Sequence, residues 1–179
     1  MEIKAILGGF YEEIVSLKDA GISLEVVEDG DSFEANAIKK AREAAELAGC
    51  DVLADDSGLC VDALDGAPGI YSARYAGEDA TDEQNNEKLL RALQGVQDRS
   101  ARFVSVVALV SGGKVTTARG EVSGVIAETP SGDHGFGYDP LFFVPELGQT
   151  FAEIPAELKY SLSHRARAFE ALQKKLAGS

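Results

Sequence analysis

The chain has 179 residues, of which 45% are hydrophobic and 26% are charged, and its formal net charge is −13. This composition is typical of a soluble globular protein that is long enough to bury one hydrophobic core. The negative charge, without any run rich in Lys and Arg, argues against binding of long nucleic acids through their phosphates. A small phosphorylated ligand is still compatible with it, because a divalent cation and a few nearby cationic side chains outweigh a distant charge.

No segment has the properties of a membrane span or a secretion signal. The longest apolar stretch, 103–110, is far shorter than the roughly 20 residues that cross a bilayer. The first residues, MEIKAILGGFYEE, carry acids where a signal peptide carries bases. We therefore expect a cytoplasmic protein with no membrane partner. Cys50 and Cys60 form no C-x-x-C pattern and predict neither a disulfide framework nor a zinc site.

The clearest helix is predicted at 31–49, where apolar side chains recur every three or four residues. Asp31 and Glu34 form a capping-box pattern in which the Asp31 carboxylate accepts from the first free amides. Gly49 provides the stop. Glu34 has a second interpretation, because a carboxylate at a helix start can also face a metal ion, and the periodicity does not decide between the two.

Two further helices are predicted, from about Asp82 to Gln94 and from about His164 to Ala177. Both begin after residues with a side-chain hydroxyl, which can cap the exposed amides of a first turn. The predicted capping residues are Thr81 with Gln84 and Gly95 for the former helix, and Ser161 or Ser163 for the latter.

Four strands are predicted, at 52–54, 103–110, 115–122 and 141–144. The second is apolar almost throughout, which is typical of a central strand covered on both faces. The sequence SGGK at 111–114 predicts a hairpin between the two middle strands. Because helix and strand signals alternate along the chain, we expect an α/β fold.

Asp55 and Asp56 directly follow the first predicted strand. Adjacent carboxylates repel, and burying them costs desolvation free energy, so a cation or a shared proton is expected beside them. The alternative is that both turn outward at the end of the strand, since Asp-Ser-Gly at 56–58 is common in turns.

The segment 132–140, GDHGFGYDP, is too rich in glycine for regular structure. Phe136 and Tyr138 could provide a stacking platform for a planar base, with Gly137 allowing close approach of the backbone. Alternatively, the two aromatic rings fill a core beneath the loop.

The start of the last helix carries His164 and Arg165, with Lys159 a few residues upstream. Positive side chains in a first turn oppose the helix dipole, and a local rule broken in this way is a reason to suspect a binding site. Free amides at the helix start also favour an anion. The alternative is three solvated cations beside a cap.

Together these stretches resemble the inosine triphosphate pyrophosphatase family, which hydrolyses non-canonical purine nucleoside triphosphates. The resemblance covers nearly the whole chain. The matching stretches are SFEANAIKKA, LADDSGLCVDALDGAPGIYSARYAG, GFGYDPLFF, TFAEIP and SLSHRARAF. It implies Mg²⁺-dependent cleavage of ITP, dITP and XTP to the nucleoside monophosphate and pyrophosphate, which keeps these nucleotides out of nucleic acid.

The resemblance also implies roles for individual residues. Asp56 would be the general base that aligns water, and Glu34, Asp55 and Asp56 would surround the metal ion. Ser57 would contact the substrate. The purine would be bound by the remaining candidate residues, which are Phe136, Gly137, Tyr138, Asp139, Lys159, His164 and Arg165.

At the level of architecture the resemblance implies a long mixed β-sheet flanked by helices, in two lobes that enclose a nucleotide cleft. It implies a single pyrophosphatase domain over 1–179 and a homodimer. The family's N-terminal strand and its Ser/Thr-x-Asn-x-x-Lys phosphate loop have no counterpart here, because MEIKAILGGF resembles the helix that follows them. A second hypothesis is therefore a nucleotide-binding dimer with weakened catalysis.

Overall fold

The structure is a computed structural model that describes residues 2–179; Met1, where the predicted opening helix starts, lies outside them. None of the helices in this described range is long and apolar enough to cross a membrane. The helices are α1 (Glu2–Leu7), α2 (Phe33–Ala48), α3 (Asp82–Ala92), α4 (Ala156–Leu162) and α5 (His164–Ala177). The strands are β1 (Val52–Val61), β2 (Ser100–Ser111), β3 (Lys114–Ile126), β4 (Phe142–Val144) and β5 (Gln149–Thr150).

The chain divides into two compact units, each built from separated segments. Unit 1 contains 1–57, 105–120 and 165–179, and unit 2 contains 58–104 and 121–164. Three of the boundaries between these segments fall within β1, β2 and β3. The units are therefore not consecutive domains along the sequence.

The predicted helices are present, with corrections at two caps. Helix α3 ends at Ala92 with Leu93 as its C-cap, before the predicted Gly95. Helix α2 ends at Gly49, whose φ of 66° is readily adopted by glycine. Its N-cap is Ser32 rather than the predicted Asp31, because the Ser32 Oγ accepts from the Ala35 amide at 3.0 Å. The box predicted at the start of α3 is confirmed, with Thr81 and Gln84 bonded reciprocally. Helix α4, which ends just before α5, was not predicted.

The α/β class, with a sheet and flanking helices, is confirmed, and the strand order is β1-β2-β3-β4-β5. The expected mixed sheet is corrected to a five-stranded antiparallel one, because strands that follow one another along the chain are neighbours in the sheet. Strand β4 pairs antiparallel with β3 and with β5. The β2–β3 hairpin is confirmed, with Gly112 and Gly113 at φ 56° and 80°. Nearly all of β2 is buried, as its apolar sequence predicts.

Strand β1 is much longer than the predicted 52–54 and runs through both aspartates to Val61. The expectation that the strand ends at Asp55 and Asp56 is therefore wrong. Leu59 and Val61 are fully buried, and the Leu59 amide donates to Ser72 Oγ at 2.9 Å. Burial of these apolar side chains stabilises the extended backbone beyond the Asp-Ser-Gly sequence.

Each unit has its own hydrophobic core. In unit 1, α5 packs against β2 and β3 through Phe169, Leu172 and Val107. In unit 2, α3 and β1 contribute Leu89 and Leu59 to a larger core. That core also contains stacked aromatic side chains, among them Phe103, Phe142 and Phe151.

Candidate active site

Asp56 lies in unit 1 and is only 7% exposed. Its Oδ1 accepts from Lys40 Nζ at 3.1 Å and its Oδ2 accepts from Asn36 Nδ2 at 3.3 Å. Burial raises the pKa of the Asp56 carboxyl, the Lys40 ammonium opposes that rise, and the Glu28 charge adds to it. The site thus holds a buried carboxyl in one orientation with a cation beside it, which suits a base that accepts a proton from water.

Lys40 and Glu28 are two residues of this cluster that the sequence analysis missed. Lys40 Nζ contacts Glu28 Oε1 at 2.7 Å and donates to the Asp55 carbonyl at 2.9 Å. Burial alone lowers the pKa of Lys40, but the bonds to Glu28 and Asp56 outweigh this effect and the pKa is raised. The signal available in the sequence was Lys40 itself, a cation in the half-buried part of an amphipathic helix.

Asp55 has a different partner from its neighbour. Arg165 makes a two-pronged contact with it, from Nε to Oδ2 at 2.9 Å and from Nη2 to Oδ1 at 3.0 Å. Ser57 Oγ also donates to Asp55 Oδ2, at 3.3 Å. Three of the predicted site residues therefore meet in unit 1, held together by an ion pair of the strong, planar kind.

Glu34, the third predicted metal ligand, is exposed in the first turn of α2, where its carboxylate accepts from Thr117 Oγ1 at 2.9 Å. Among residues 2–179, no group of three or more His, Cys, Asp and Glu side chains is arranged to hold a metal ion. The carboxylates of Asp56 and Glu28 share the Lys40 ammonium. Carboxylate oxygens are the donors that Mg²⁺ prefers, and one or two of them suffice when water and phosphate complete its shell.

Asp139 and Lys159 form a buried ion pair in unit 2, at 3% and 8% exposure. Burial raises the pKa of Asp139, while its bond to Lys159 and the Phe136 amide oppose the rise. Lys159 Nζ also lies over the Phe136 ring, 4.7 Å from its centre. The predicted residues Phe136, Asp139 and Lys159 thus form one cluster in which an exposed aromatic face adjoins fixed polar groups.

The two aromatic residues of the loop divide between the two interpretations of the sequence. Phe136 is 71% exposed, as a stacking platform would be. Tyr138 is 5% exposed and belongs to the core of unit 2, where its hydroxyl donates to the Ser72 carbonyl at 2.6 Å. Burial raises the pKa of Tyr138, with Tyr75 and Asp82 adding to the rise.

His164 is also in unit 2, where its ring stacks on Phe103 with centres 4.9 Å apart. Of the residues predicted to bind the base, the loop residues Phe136 to Asp139, Lys159 and His164 lie in unit 2, and Arg165 lies in unit 1. Unit 1 also holds the acidic residues Glu34, Asp55 and Asp56.

Comparison with known proteins gives matches along nearly the whole chain. The Ham1 family profile matches residues 1–175. A dITP/XTP pyrophosphatase of Geobacter sulfurreducens is 55% identical over 178 residues, covering 98% of this chain and 89% of that protein. One from Clostridium perfringens is 52% identical over 186 residues, covering 99% and 91%.

Solved structures agree with these matches. The Ham1 protein of Staphylococcus aureus has a TM-score of 0.90 at 44% identity, covering 99% of this chain and 92% of that one. A nucleoside-triphosphatase, or dITP/XTP pyrophosphatase, of Mycobacterium abscessus has a TM-score of 0.80 at 43% identity, with coverage of 98% and 92%. Both likenesses extend over the described fold.

Proposed function

The chain belongs to the Ham1 family, and from this premise we propose that it hydrolyses non-canonical purine nucleoside triphosphates. The substrates are dITP, XTP and ITP, and the products are the nucleoside monophosphate and pyrophosphate. The observation that carries this function is that relatives more than half identical over 98% of the chain are dITP/XTP pyrophosphatases. Removing such nucleotides keeps them out of nucleic acid.

In the proposed reaction, Asp56 accepts a proton from the attacking water. The water oxygen bonds to the α-phosphorus, the bond from that phosphorus to the bridging oxygen breaks, and pyrophosphate leaves. The fixed orientation of Asp56 between Asn36 and Lys40 supports this role, because a base must be held in line with its proton. The Lys40 ammonium favours the ionised carboxyl that the reaction needs.

We assign the divalent cation, Mg²⁺, to the carboxylates of Asp56 and Glu28. Both contact Lys40 Nζ, at 2.7 Å for Glu28 and 3.1 Å for Asp56, so one oxygen of each carboxylate faces a common point. When bound, the cation supplies charge neutralisation at the phosphates. Glu34 and Asp55 remain predicted ligands from the family resemblance. Asp55 has a second proposed role, which is to hold the Arg165 guanidinium.

Base recognition is assigned to the loop of unit 2 with Lys159 and His164. Arg165 of unit 1 remains a predicted base-binding residue from the family resemblance. The exposed Phe136 ring supports stacking, worth about 1–3 kcal/mol per base. Donors directed at a 6-oxo group accept hypoxanthine and xanthine, whereas adenine leaves them unpaired. Ser57 is proposed to contact the substrate, and the active form is proposed to be a cytoplasmic homodimer.

Pyrophosphate release from dITP, XTP, ITP, GTP and ATP tests this function, with Mg²⁺ and with chelator. Metal-dependent release from the first three establishes it. The matched variant is Asp56→Asn, which keeps the shape and should lower kcat by about 10²–10⁴-fold while inosine monophosphate still binds. No release from any of the five by a folded protein that binds inosine monophosphate would favour the binding-only hypothesis instead.

A further inference from the structure

The peptide groups on either side of Gly137 are held by two side chains of α3. The Gly137 amide donates to Asp82 Oδ2 at 2.8 Å, and the Gly137 carbonyl accepts from Asn86 Nδ2 at 3.1 Å. Asp82 and Asn86 are four residues apart, so they lie on one face of the helix in successive turns. Both backbone polar groups of one loop residue are therefore taken by a single rigid element.

Gly137 is the point where the loop changes from exposed to buried. Phe136 is 71% exposed, whereas Tyr138 is 5% exposed and anchored in the core. Gly137 has a φ of 59°, which glycine adopts without strain. The turn is closed by the Asp139 amide, which donates to the Phe136 carbonyl at 3.2 Å, and by the Phe136 amide, which donates to Asp139 Oδ2 at 3.1 Å. The two hydrogen bonds from α3 to Gly137 fix this turn on the helix, and with it the direction in which the Phe136 ring leaves the core.

The orientation of the Asn86 amide is fixed by the loop. Reversing it would set Oδ1 against the Gly137 carbonyl, two acceptors facing each other. In the observed orientation Oδ1 is buried with no hydrogen-bond partner in the described part of the chain. A buried unpaired acceptor costs free energy, and Asn is a weaker helix former than Leu. Helix stability therefore does not explain Asn86, whereas its bond to Gly137 does.

Asp82 acts on the same loop by its charge as well as by its hydrogen bond. Burial raises the pKa values of Tyr138 and Asp139, and the Asp82 charge adds to both rises. The hydrogen bond from the Gly137 amide places the Asp82 carboxylate against the loop. Glu83, the next residue of the same first turn, is exposed. The two acids are alike in charge and in their effect on the helix dipole, and only Asp82 is bonded to Gly137.

The geometry points to Asp82 and Asn86 as positioning residues for purine recognition, which hold the Gly137 peptide so that Phe136 and Asp139 meet the base in one arrangement. This inference rests on the proposed function of the loop. It adds a specificity-determining contact made through α3, whose residues do not belong to the predicted site.

The test compares Asp82→Ala and Asn86→Leu with two controls. Leu matches Asn in size and favours the helix, so a defect in Asn86→Leu is not caused by a weaker α3. Asp82→Asn keeps an acceptor for the Gly137 amide, so its KM for dITP should stay near that of the parent. Glu83→Ala removes the same charge from the same turn. We expect KM for dITP to rise about fivefold in the first two variants, the size of one lost hydrogen bond, with kcat nearly unchanged.

A second measurement reads the loop without catalysis. The chain has no Trp, so Phe136→Trp provides a single fluorescent reporter at the loop. Adding Asp82→Ala or Asn86→Leu should lower its anisotropy, and adding Glu83→Ala should not. Unchanged KM and unchanged anisotropy in both variants of an active enzyme would overturn the inference alone. A parent chain that neither cleaves dITP nor binds inosine monophosphate would overturn the proposed function, and with it the recognition role.

Discussion

At the scale of single residues, Asp55 and Asp56 show that neighbours in a strand can have separate tasks. Successive side chains of a strand point to opposite faces, so the two carboxylates meet different partners. Asp56 contacts Lys40 and Asn36, whereas Asp55 is paired with Arg165. The expected repulsion between adjacent acids is thus offset by a different cation beside each of them, Lys40 for Asp56 and Arg165 for Asp55.

The first prediction concerns Asp55→Asn. The neutral amide can no longer hold the Arg165 guanidinium by two charge-assisted bonds, so the cation that we propose to bind the base loses its support. We expect the ratio of kcat/KM for ITP over ATP to fall roughly tenfold, while the Mg²⁺ concentration for half-maximal rate stays within about twofold. Steady-state kinetics over a Mg²⁺ titration measures both.

Arg165→Ala removes the other member of the ion pair and should lower the ratio of kcat/KM for ITP over ATP in the same way. If Asp55→Asn instead raises the Mg²⁺ requirement and keeps the ratio, Asp55 is a metal ligand, as the family resemblance implies.

The second prediction concerns the buried pair of Lys159 and Asp139. Lys159→Met leaves a buried carboxylate without its cation, which should lower the free energy of unfolding by about 3–5 kcal/mol near neutral pH. Burial already raises the pKa of Asp139, and loss of Lys159 raises it further. The folded variant then binds a proton more readily than the unfolded chain, so its stability should increase as pH falls towards that pKa.

Urea unfolding of Lys159→Met at about pH 8 and at about pH 5 measures this dependence. Adding Asp139→Asn removes the titrating group. The free energy of unfolding of the double variant should therefore not increase between about pH 8 and about pH 5 in the way predicted for Lys159→Met. If the double variant shows the same increase in the free energy of unfolding at low pH, a group other than Asp139 causes it.

At the scale of elements, local patterns predicted the helices well and the strands less well. The capping box of α3 and the glycine after α2 lie within a few residues of the helices they define. The length of β1 depends instead on distant partners. Arg165 is 110 residues from Asp55, and Lys40 is 16 residues from Asp56. Such contacts leave no local signal, so Asp-Ser-Gly was interpreted as a turn.

The site follows the same rule. Asp56, Phe136 and Lys159 were predicted because they lie in recognisable stretches of sequence. Glu28 was missed because the segment before α2 has no regular structure, and its contact with Lys40, which also contacts Asp56, depends on the folded chain. The roles of Asp82 and Asn86 depend on a contact between α3 and a loop about 50 residues later, as the separation of 51 between Asn86 and Gly137 shows.

The third prediction tests the corrected cap of α2, the helix that carries Asn36 and Lys40. Ser32→Ala removes the acceptor of the Ala35 amide and should lower the free energy of unfolding by about 1 kcal/mol. Asp31→Ala removes a charge from the same end of the helix without removing that bond, and should cost about half as much or less. Chemical denaturation of both variants compares them, and a larger loss for Asp31→Ala would restore Asp31 as the cap.

At the scale of the whole molecule, the two units share three strands. Because β1, β2 and β3 each run from one unit into the other, unfolding of either unit disrupts strands that the other also uses. Each unit nevertheless has its own core, centred on Leu172 in unit 1 and on Leu89 in unit 2. The continuity of the strands favours a single cooperative transition despite the two cores.

The last prediction is therefore that a large-to-small substitution in either core destabilises both units. Leu172→Ala and Leu89→Ala each remove a fully buried side chain and should cost about 2–5 kcal/mol. Hydrogen exchange followed by mass spectrometry in increasing urea reports peptides of both units in one experiment. We expect peptides from the two cores to lose protection at the same urea concentration in each variant, shifted together from the parent. If Leu89→Ala exposes only peptides of unit 2 while those of unit 1 keep the midpoint of the parent, the strands do not couple the units, and each core folds independently.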